Sequence, residues 1–220
     1  GVLQASDGHN GFSNFSVFTD LTLKLFDDRL SISAGVRRFD QRFTQSSETT
    51  GPLAGAVGTI KVGTPASGSE TGATPRFAAK YAFTPSAMIY ASAGQGFRAG
   101  GPGAAPANLQ TAACLRALGK AGLVPGGSFQ SDKLWSYELG TKTTWRDNSI
   151  LLDAAVFYVD WTDLQNSFIL NNFDVDCPGV ATGNGGKATS KGGEINVAYQ
   201  PLDNLSLKMA ASYTDAKLGA

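Results

Sequence analysis

The chain has 220 residues with 18 basic and 18 acidic side chains, so its formal net charge is zero, and only 16% of its residues are charged. A balance of this kind argues against nucleic acid as a partner, because holding a phosphate backbone requires clustered cations. No apolar run approaches the 18 or more residues of a membrane-spanning helix, while glycine is abundant at 27 residues. The chain opens Gly1-Val2-Leu3-Gln4, without Met or a basic leader, and closes on Leu218-Gly219-Ala220 straight out of a strand-like run. Both ends therefore read as cuts in a longer protein.

Asn10 to Lys24 alternates with the period of two that sends successive strand side chains to opposite faces. Phe15, Val17, Thr19, Leu21 and Leu23 oppose Ser16, Phe18, Asp20, Thr22 and Lys24. After a turn at Phe26-Asp27-Asp28, Leu30, Ile32, Ala34 and Val36 oppose Ser31, Ser33, Gly35 and Arg37. From about Thr44 to Thr74 the pattern dissolves into Gly, Ser and Thr with two prolines, which predicts a long surface loop. Phe77, Ala79, Tyr81 and Phe83 then oppose Arg76, Ala78, Lys80 and Ala82, and Thr84-Pro85-Ser86 turns the chain. Ile89, Ala91 and Ala93 follow against Tyr90, Ser92 and Gly94. A second loop runs from about Arg98 to Phe129, rich in Gly, Ala and Pro, with a short helical piece near Leu109 to Leu118.

The stretch Asp132 to Gln165 is the most informative. Its first arm sets Trp135, Tyr137, Leu139, Thr141, Thr143 and Trp145 against Ser136, Glu138, Gly140, Lys142 and Thr144. Arg146-Asp147-Asn148 is a tight-turn signal, and the second arm puts Ile150, Leu152, Ala154, Val156 and Tyr158 opposite Asp153. A third loop, about Asn166 to Thr189, carries Cys177-Pro178-Gly179 and Gly183-Asn184-Gly185-Gly186. Ile195, Val197 and Tyr199 then oppose Glu194, Asn196 and Ala198, and Pro201 to Asn204 turns the chain. Leu205, Leu207, Met209, Ala211 and Tyr213 close the chain against Ser206, Lys208, Ala210, Ser212 and Thr214.

The pattern predicts an all-β fold: an antiparallel transmembrane β-barrel segment of about eight strands in four hairpins. Short turns recur about every 60 residues with long loops between them, the asymmetry of short periplasmic turns and long extracellular loops. A soluble β-sandwich would mix loop lengths at both ends and bury its apolar faces against a second sheet. Asp20, Lys24, Arg37, Arg76, Lys80, Glu138, Lys142, Asp153, Glu194 and Lys208 all oppose the apolar rows. Each would cost roughly 2 to 4 kcal/mol in hydrocarbon near the midplane, so this face meets a wet lumen or an internal plug. Asp160 shares a face with Tyr158 and is expected above the membrane.

Four stretches together resemble the TonB-dependent outer-membrane receptors, in their siderophore-receptor-like branch. They are Ile89-Tyr90-Ala91-Ser92 leading into Gly96-Phe97-Arg98-Ala99-Gly100-Gly101; Trp135 to Lys142; Val156 to Gln165; and Gly192-Gly193-Glu194-Ile195. The resemblance covers nearly the whole chain. It implies that residues 1–220 are part of a barrel of about 22 strands with a plugged lumen, the plug and the remaining strands lying outside them. It also implies the outer membrane of a Gram-negative bacterium, with outer-membrane lipid around the barrel. The implied activity is active uptake of a scarce ligand such as a ferric siderophore, energised by a TonB-type protein through the plug region. A passive porin or a structural barrel is the alternative, and a globular plug of about 120 to 150 residues elsewhere in the full chain would decide between them.

On this resemblance Arg98, Glu138 and Lys142 are the candidate ligand-binding residues. Arg98 stands at the barrel mouth, where its fork suits an anionic ligand or braces the loop. Glu138 and Lys142 lie on one wall, and Glu194 and Lys208 are expected to face each other across a hairpin. These four either touch ligand or plug, or form a ladder of lumen charges. His9 stands alone in a flexible start, a solvated imidazole and no metal ligand, since a metal site needs several convergent ligands. With one histidine no Ser-His-Asp set can be assembled, so no catalytic residue and no cofactor is expected. Cys114 and Cys177 fall in two adjacent long loops on the oxidising side. A disulfide there would close about 60 residues, contributing on the order of 4 kcal/mol; two independent thiols are the other reading.

Overall fold

The structure is a computed structural model, and it describes residues 5–51, 60–62, 65–102, 111–124, 128–146, 149–177 and 179–219. The chain start at 1–4, the turn residues Asp147 and Asn148, and Pro178 lie outside them. Among the described residues the elements run β1 (Ala5–Leu25), β2 (Leu30–Thr50), β3 (Ile60–Val62), β4 (Ala66–Thr84), β5 (Ala87–Arg98), β6 (Gly101–Pro102) and α1 (Ala112–Lys120). They continue with β7 (Ser128–Phe129), β8 (Asp132–Trp145), β9 (Ile150–Thr162), β10 (Gln165–Ile169), a 3-10 turn (Leu170–Asn172), β11 (Val180–Asn184), β12 (Lys187–Leu202) and β13 (Leu205–Gly219). Eight long strands form one antiparallel sheet in the order β1-β2-β4-β5-β8-β9-β12-β13, with β3 added to β2. They make four hairpins with short turns at one end and the long connections at the other. β1 and β13 are the sheet's edges.

Register shows why the alternation matters. One line of partners across the sheet reads Leu23, Ile32, Ala79, Ala91, Leu139, Val156, Gly193 and Tyr213. The line two residues nearer the short turns reads Leu25, Leu30, Tyr81, Ile89, Thr141, Ala154, Ile195 and Ala211. The line between them reads Lys24, Ser31, Lys80, Tyr90, Gly140, Ala155, Glu194 and Ser212. A slip of one residue anywhere would move a whole apolar set to the other face, so the eight strands agree on a single apolar outer face. That face is open: Leu139 is 55%, Val156 57% and Met209 62% exposed. Large side chains presented in such a continuous field belong against lipid rather than water.

The strands are longer than the sequence predicts, and this corrects the reading of residues 44 to 74 as a surface loop. β2 and β4 pair from Leu30↔Tyr81 up to Gln45↔Ala66, and β3 continues the line of β4 beyond that. A span of hydrocarbon needs only about 9 to 11 residues, whereas β1 and β2 have 21 each. The upper halves stand clear of the membrane, where no lipid demands an apolar row, so the period of two is lost while the backbone ladder persists. Gly68 and Gly72 are part of that ladder: the rings of Phe43 and Phe39 occupy the space where their Cβ atoms would be. β1 likewise begins at Ala5, and His9 is not in a flexible start but in the strand opposite Ser46, solvent-exposed and 3.7 Å from Asp7.

The two other long connections also carry structure. The β5–β8 connection contains α1, capped by Thr111 Oγ1, which accepts from the Cys114 N–H at 3.2 Å. The β9–β12 connection, expected as a loop over 166 to 189, contains the ribbon β10–β11, Gln165↔Asn184 to Ile169↔Val180. β6 and β7 pair as a second ribbon.

Candidate functional site

The inner face carries charged residues of both signs, and some of them are in contact. Lys142 and Asp153 are register partners on β8 and β9, and Lys142 Nζ lies 2.9 Å from Asp153 Oδ2. The Lys142 ammonium stands 5.9 Å from the centre of the Tyr90 ring, close enough for a cation–π attraction. Tyr90 in turn lies flat over Gly140, whose Cβ would come within 2.6 Å of the ring. Glu138 is the diagonal neighbour of Tyr90 on the same wall, so Glu138, Lys142, Tyr90 and Asp153 form one polar cluster. Further round, Arg76 Nε donates to Asp20 Oδ2 at 2.6 Å, reaching across β2 above Gly35. Glu194 and Lys208 do not face each other. Glu194 pairs with Ser212 and Lys208 with Ala198, four residues apart along the hairpin.

At the mouth, Arg98 is the last residue of β5 rather than a loop residue. Its Nε donates to Asp132 Oδ2 at 2.7 Å and its backbone N–H to Asp132 Oδ1 at 3.0 Å. Its guanidinium lies 4.6 Å from the centre of the Trp161 ring, and Gln165 N donates to Asp132 Oδ2 at 3.3 Å. Asp132 is fully buried. Burial alone would push its carboxyl up, but the hydrogen bonds from the Arg98 side chain and backbone and from Gln165 outweigh it and hold the carboxyl below its ordinary value. The Arg98 fork is thus committed to bracing, with its side chain 48% exposed.

A second buried knot lies beside it. Glu70 Oε2 accepts from Ser131 Oγ at 2.6 Å and from Gln41 Nε2 at 3.2 Å, and Ser131 Oγ accepts from Gly100 N at 3.1 Å. These knots fasten a folded cap built from the two loops. Cys114 and Cys177 are joined by a disulfide with S–S 2.01 Å across 63 residues of sequence. Around it pack Ala117, Leu118, Leu170 and Ala181, with Leu123 and Phe173 at the margin. Arg116 Nε donates to Asp174 Oδ2 at 3.1 Å and Lys120 Nζ to the Phe173 carbonyl at 3.0 Å. Asn184 accepts from Gln130 N at 2.7 Å and donates to the carbonyls of Gln130 and Asp163. Gln165 Nε2 donates to the carbonyls of Ala99 and Gln130.

The sequence reading left Asp132, Gln165, Glu70, Gln41 and Ser131 without a role. Each acts through partners 29 to 90 residues away, and no local spacing announces such a knot.

An antiparallel sheet with an apolar exterior, a charged interior of both signs and long structured loops at one end is a wall of a membrane β-barrel. The family model described as TonB dependent receptor-like, beta-barrel matches residues 3–219, and the chain belongs to that family, one of receptors and transporters rather than enzymes. Solved structures agree in fold. The chain is similar to the ferric yersiniabactin uptake receptor FyuA from Yersinia pestis, at 20% identity and TM-score 0.72, covering 98% of this chain and 28% of that one. The closed form of the ferric-catecholate import receptor Fiu from E. coli K12 matches at 17% identity and TM-score 0.67, covering 96% and 29%. The copper transporter OprC matches at 16% identity and TM-score 0.62, covering 94% and 29%. The chain therefore spans under a third of the length of these receptors.

Proposed function

We propose that this chain forms part of the barrel wall of a receptor in the outer membrane of a Gram-negative bacterium. The receptor takes up a scarce ligand of the ferric-siderophore class, energised by a TonB-type protein acting on a plug. The observation that carries this reading is the inner wall, where opposite charges are interleaved and paired, Asp20 with Arg76 and Lys142 with Asp153. A wall of both signs offers many charge-assisted hydrogen bonds to a folded polar plug, whereas an open channel tends to use rings of one sign. FyuA and Fiu are receptors for ferric chelates by their own descriptions, which supports that ligand class.

On this reading the exposed sides of Lys142 and Glu138 meet plug or passing ligand. Arg98 sets the mouth loops in place and turns its open half towards an anionic group. Cells lacking the full-length protein, starved of iron and offered a panel of ferric chelates, should fail to grow on one of them and recover when the gene is restored. Growth unchanged on every chelate, together with rapid sugar-driven swelling of vesicles holding the purified protein, would favour the porin instead.

A further inference from the structure

The bridge between Cys114 and Cys177 is sealed inside the cap. Both residues are 0% exposed, with Ala117, Leu118, Leu170 and Ala181 packed around them. The bonds from Arg116 to Asp174 and from Lys120 to the Phe173 carbonyl hold α1 against the segment just before Cys177. Thiol–disulfide exchange needs an outside sulfur to reach one of the bridged sulfurs, and the closed cap leaves no such approach. The bridge therefore forms while the cap is still open.

What closes it is the barrel itself. The two cysteines are 63 residues apart, and the whole β8–β9 hairpin lies between them. The roots of the cap belong to the barrel strands: Arg98 ends β5, Asp132 begins β8 and Gln165 begins β10 just beyond β9. Asp132 accepts from both of the others. Pairing β5 with β8 and β8 with β9 therefore draws the two cap halves together and shuts their core over the sulfurs. The interval in which a catalyst can reach both thiols ends when these ladders are complete.

We propose that the bridge is made in the periplasm by exchange with a protein disulfide, before β8 and β9 are built into the barrel, so that the hairpin enters the membrane inside a covalently closed loop. One cysteine thiolate attacks the catalyst's disulfide, forming a mixed disulfide and expelling the catalyst's other sulfur as a thiolate. The second cysteine then attacks the chain's sulfur in that mixed bridge, and the catalyst leaves as a dithiol. Cys114 and Cys177 lose two electrons and two protons between them, and the catalyst's disulfide takes up both electrons. Assembly then seals the product against reductants outside the cell. The proposal rests on the outer-membrane reading above.

The test pulse-labels the full-length protein in cells depleted of their barrel-assembly machinery, so that it is caught in the periplasm before degradation. Free thiols are blocked with N-ethylmaleimide under acid quench, and the peptides carrying Cys114 and Cys177 are read by mass spectrometry. The stalled protein should show the two peptides linked to the same extent as in assembled protein. Without the periplasmic disulfide catalyst, the linked form should be lost and both cysteines should carry the blocking group. Millimolar dithiothreitol should leave both thiols free when present during synthesis, and should leave the bridge intact when added to intact cells after assembly. Stalled protein with both thiols free in cells that have the catalyst overturns the order of events. Undiminished linkage without the catalyst overturns the exchange step, and rapid reduction of the assembled protein overturns the seal. Fractionation separates the two readings: protein that reaches the outer membrane of undepleted cells yet fails these tests sinks the maturation order alone, and protein absent from outer membranes sinks both.

Discussion

Asp132 has no chemical distinction in the sequence, yet it is the residue on which both mouth loops depend. Its carboxylate is buried and receives hydrogen bonds from Arg98, at the end of β5 where one connection begins, and from Gln165, in the other connection. Asp132→Asn keeps the volume but removes the charge that Arg98 answers. Because Arg98 is half in solvent, the cost should be about 2 kcal/mol rather than the larger value of a fully buried pair. Hydrogen exchange at the Arg98 and Gln165 amides should quicken accordingly; unchanged protection would show the carboxylate to be incidental. The pH dependence follows from the same bonds. The folded carboxyl titrates below its unfolded value, so its contribution is complete above about pH 4 and is lost as pH falls through the folded value. Protection of these amides, corrected for intrinsic exchange, should hold at pH 5 and fail under stronger acid. A loss beginning near neutrality would contradict it. Gly140 offers a second test of a single contact. A Cβ there meets the Tyr90 ring, so Gly140→Val should push the ring off Lys142 and destabilise the wall by about 1 to 3 kcal/mol. Denaturant unfolding in detergent measures it, and a neutral result would mean the ring is free to move.

Elements differ in how plainly the sequence announces them. Within the membrane, lipid on one side and a polar interior on the other force a strict alternation, so β8, β9 and β13 are legible residue by residue, and the turns at Phe26 to Asp28, Pro85-Ser86 and Asp203-Asn204 with them. Beyond the membrane both faces of a strand are wet or packed on loops, and the ladder of β1, β2 and β4 continues through Gly, Ser and Thr without a pattern. The cap is less legible still: α1 is readable as a short helix, but β10 and β11 are short, polar and bounded by glycines. The disulfide gives this element its own stability. Closing 63 residues contributes on the order of 4 kcal/mol in the loop-entropy picture, and the core around Leu118 and Leu170 is too small to replace it. Cys114→Ser in the full-length protein should therefore open residues 111 to 124 to protease while the barrel keeps its heat-dependent gel mobility. Equal protease resistance with and without the bridge would show that the hydrogen bonds of Asn184 and Gln165 hold the cap unaided.

For the whole molecule, one wall has two faces with opposite duties: the register line from Leu23 to Tyr213 lies on the outer one and the line from Lys24 to Ser212 on the inner. The outside needs only to match lipid, and the inside must stay wet and, on the proposed reading, hold a folded plug against it. The family could be read in the sequence because its four matching stretches lie along β5, β8, β9 and β12, neighbours in the sheet whose spacing the barrel fixes. The ligand could not, because candidate residues such as Arg98 and Lys142 are already engaged by Asp132 and Asp153 and their remaining surface fits many anions. The claim that this wall surrounds an energised plug is tested most directly by transport. Cells carrying the full-length protein should accumulate its radiolabelled ferric ligand only while the inner-membrane proton gradient stands, and an uncoupler should stop accumulation yet leave surface binding intact. Accumulation continuing at the same rate after the gradient has collapsed would contradict the account and make the chain part of a passive pore.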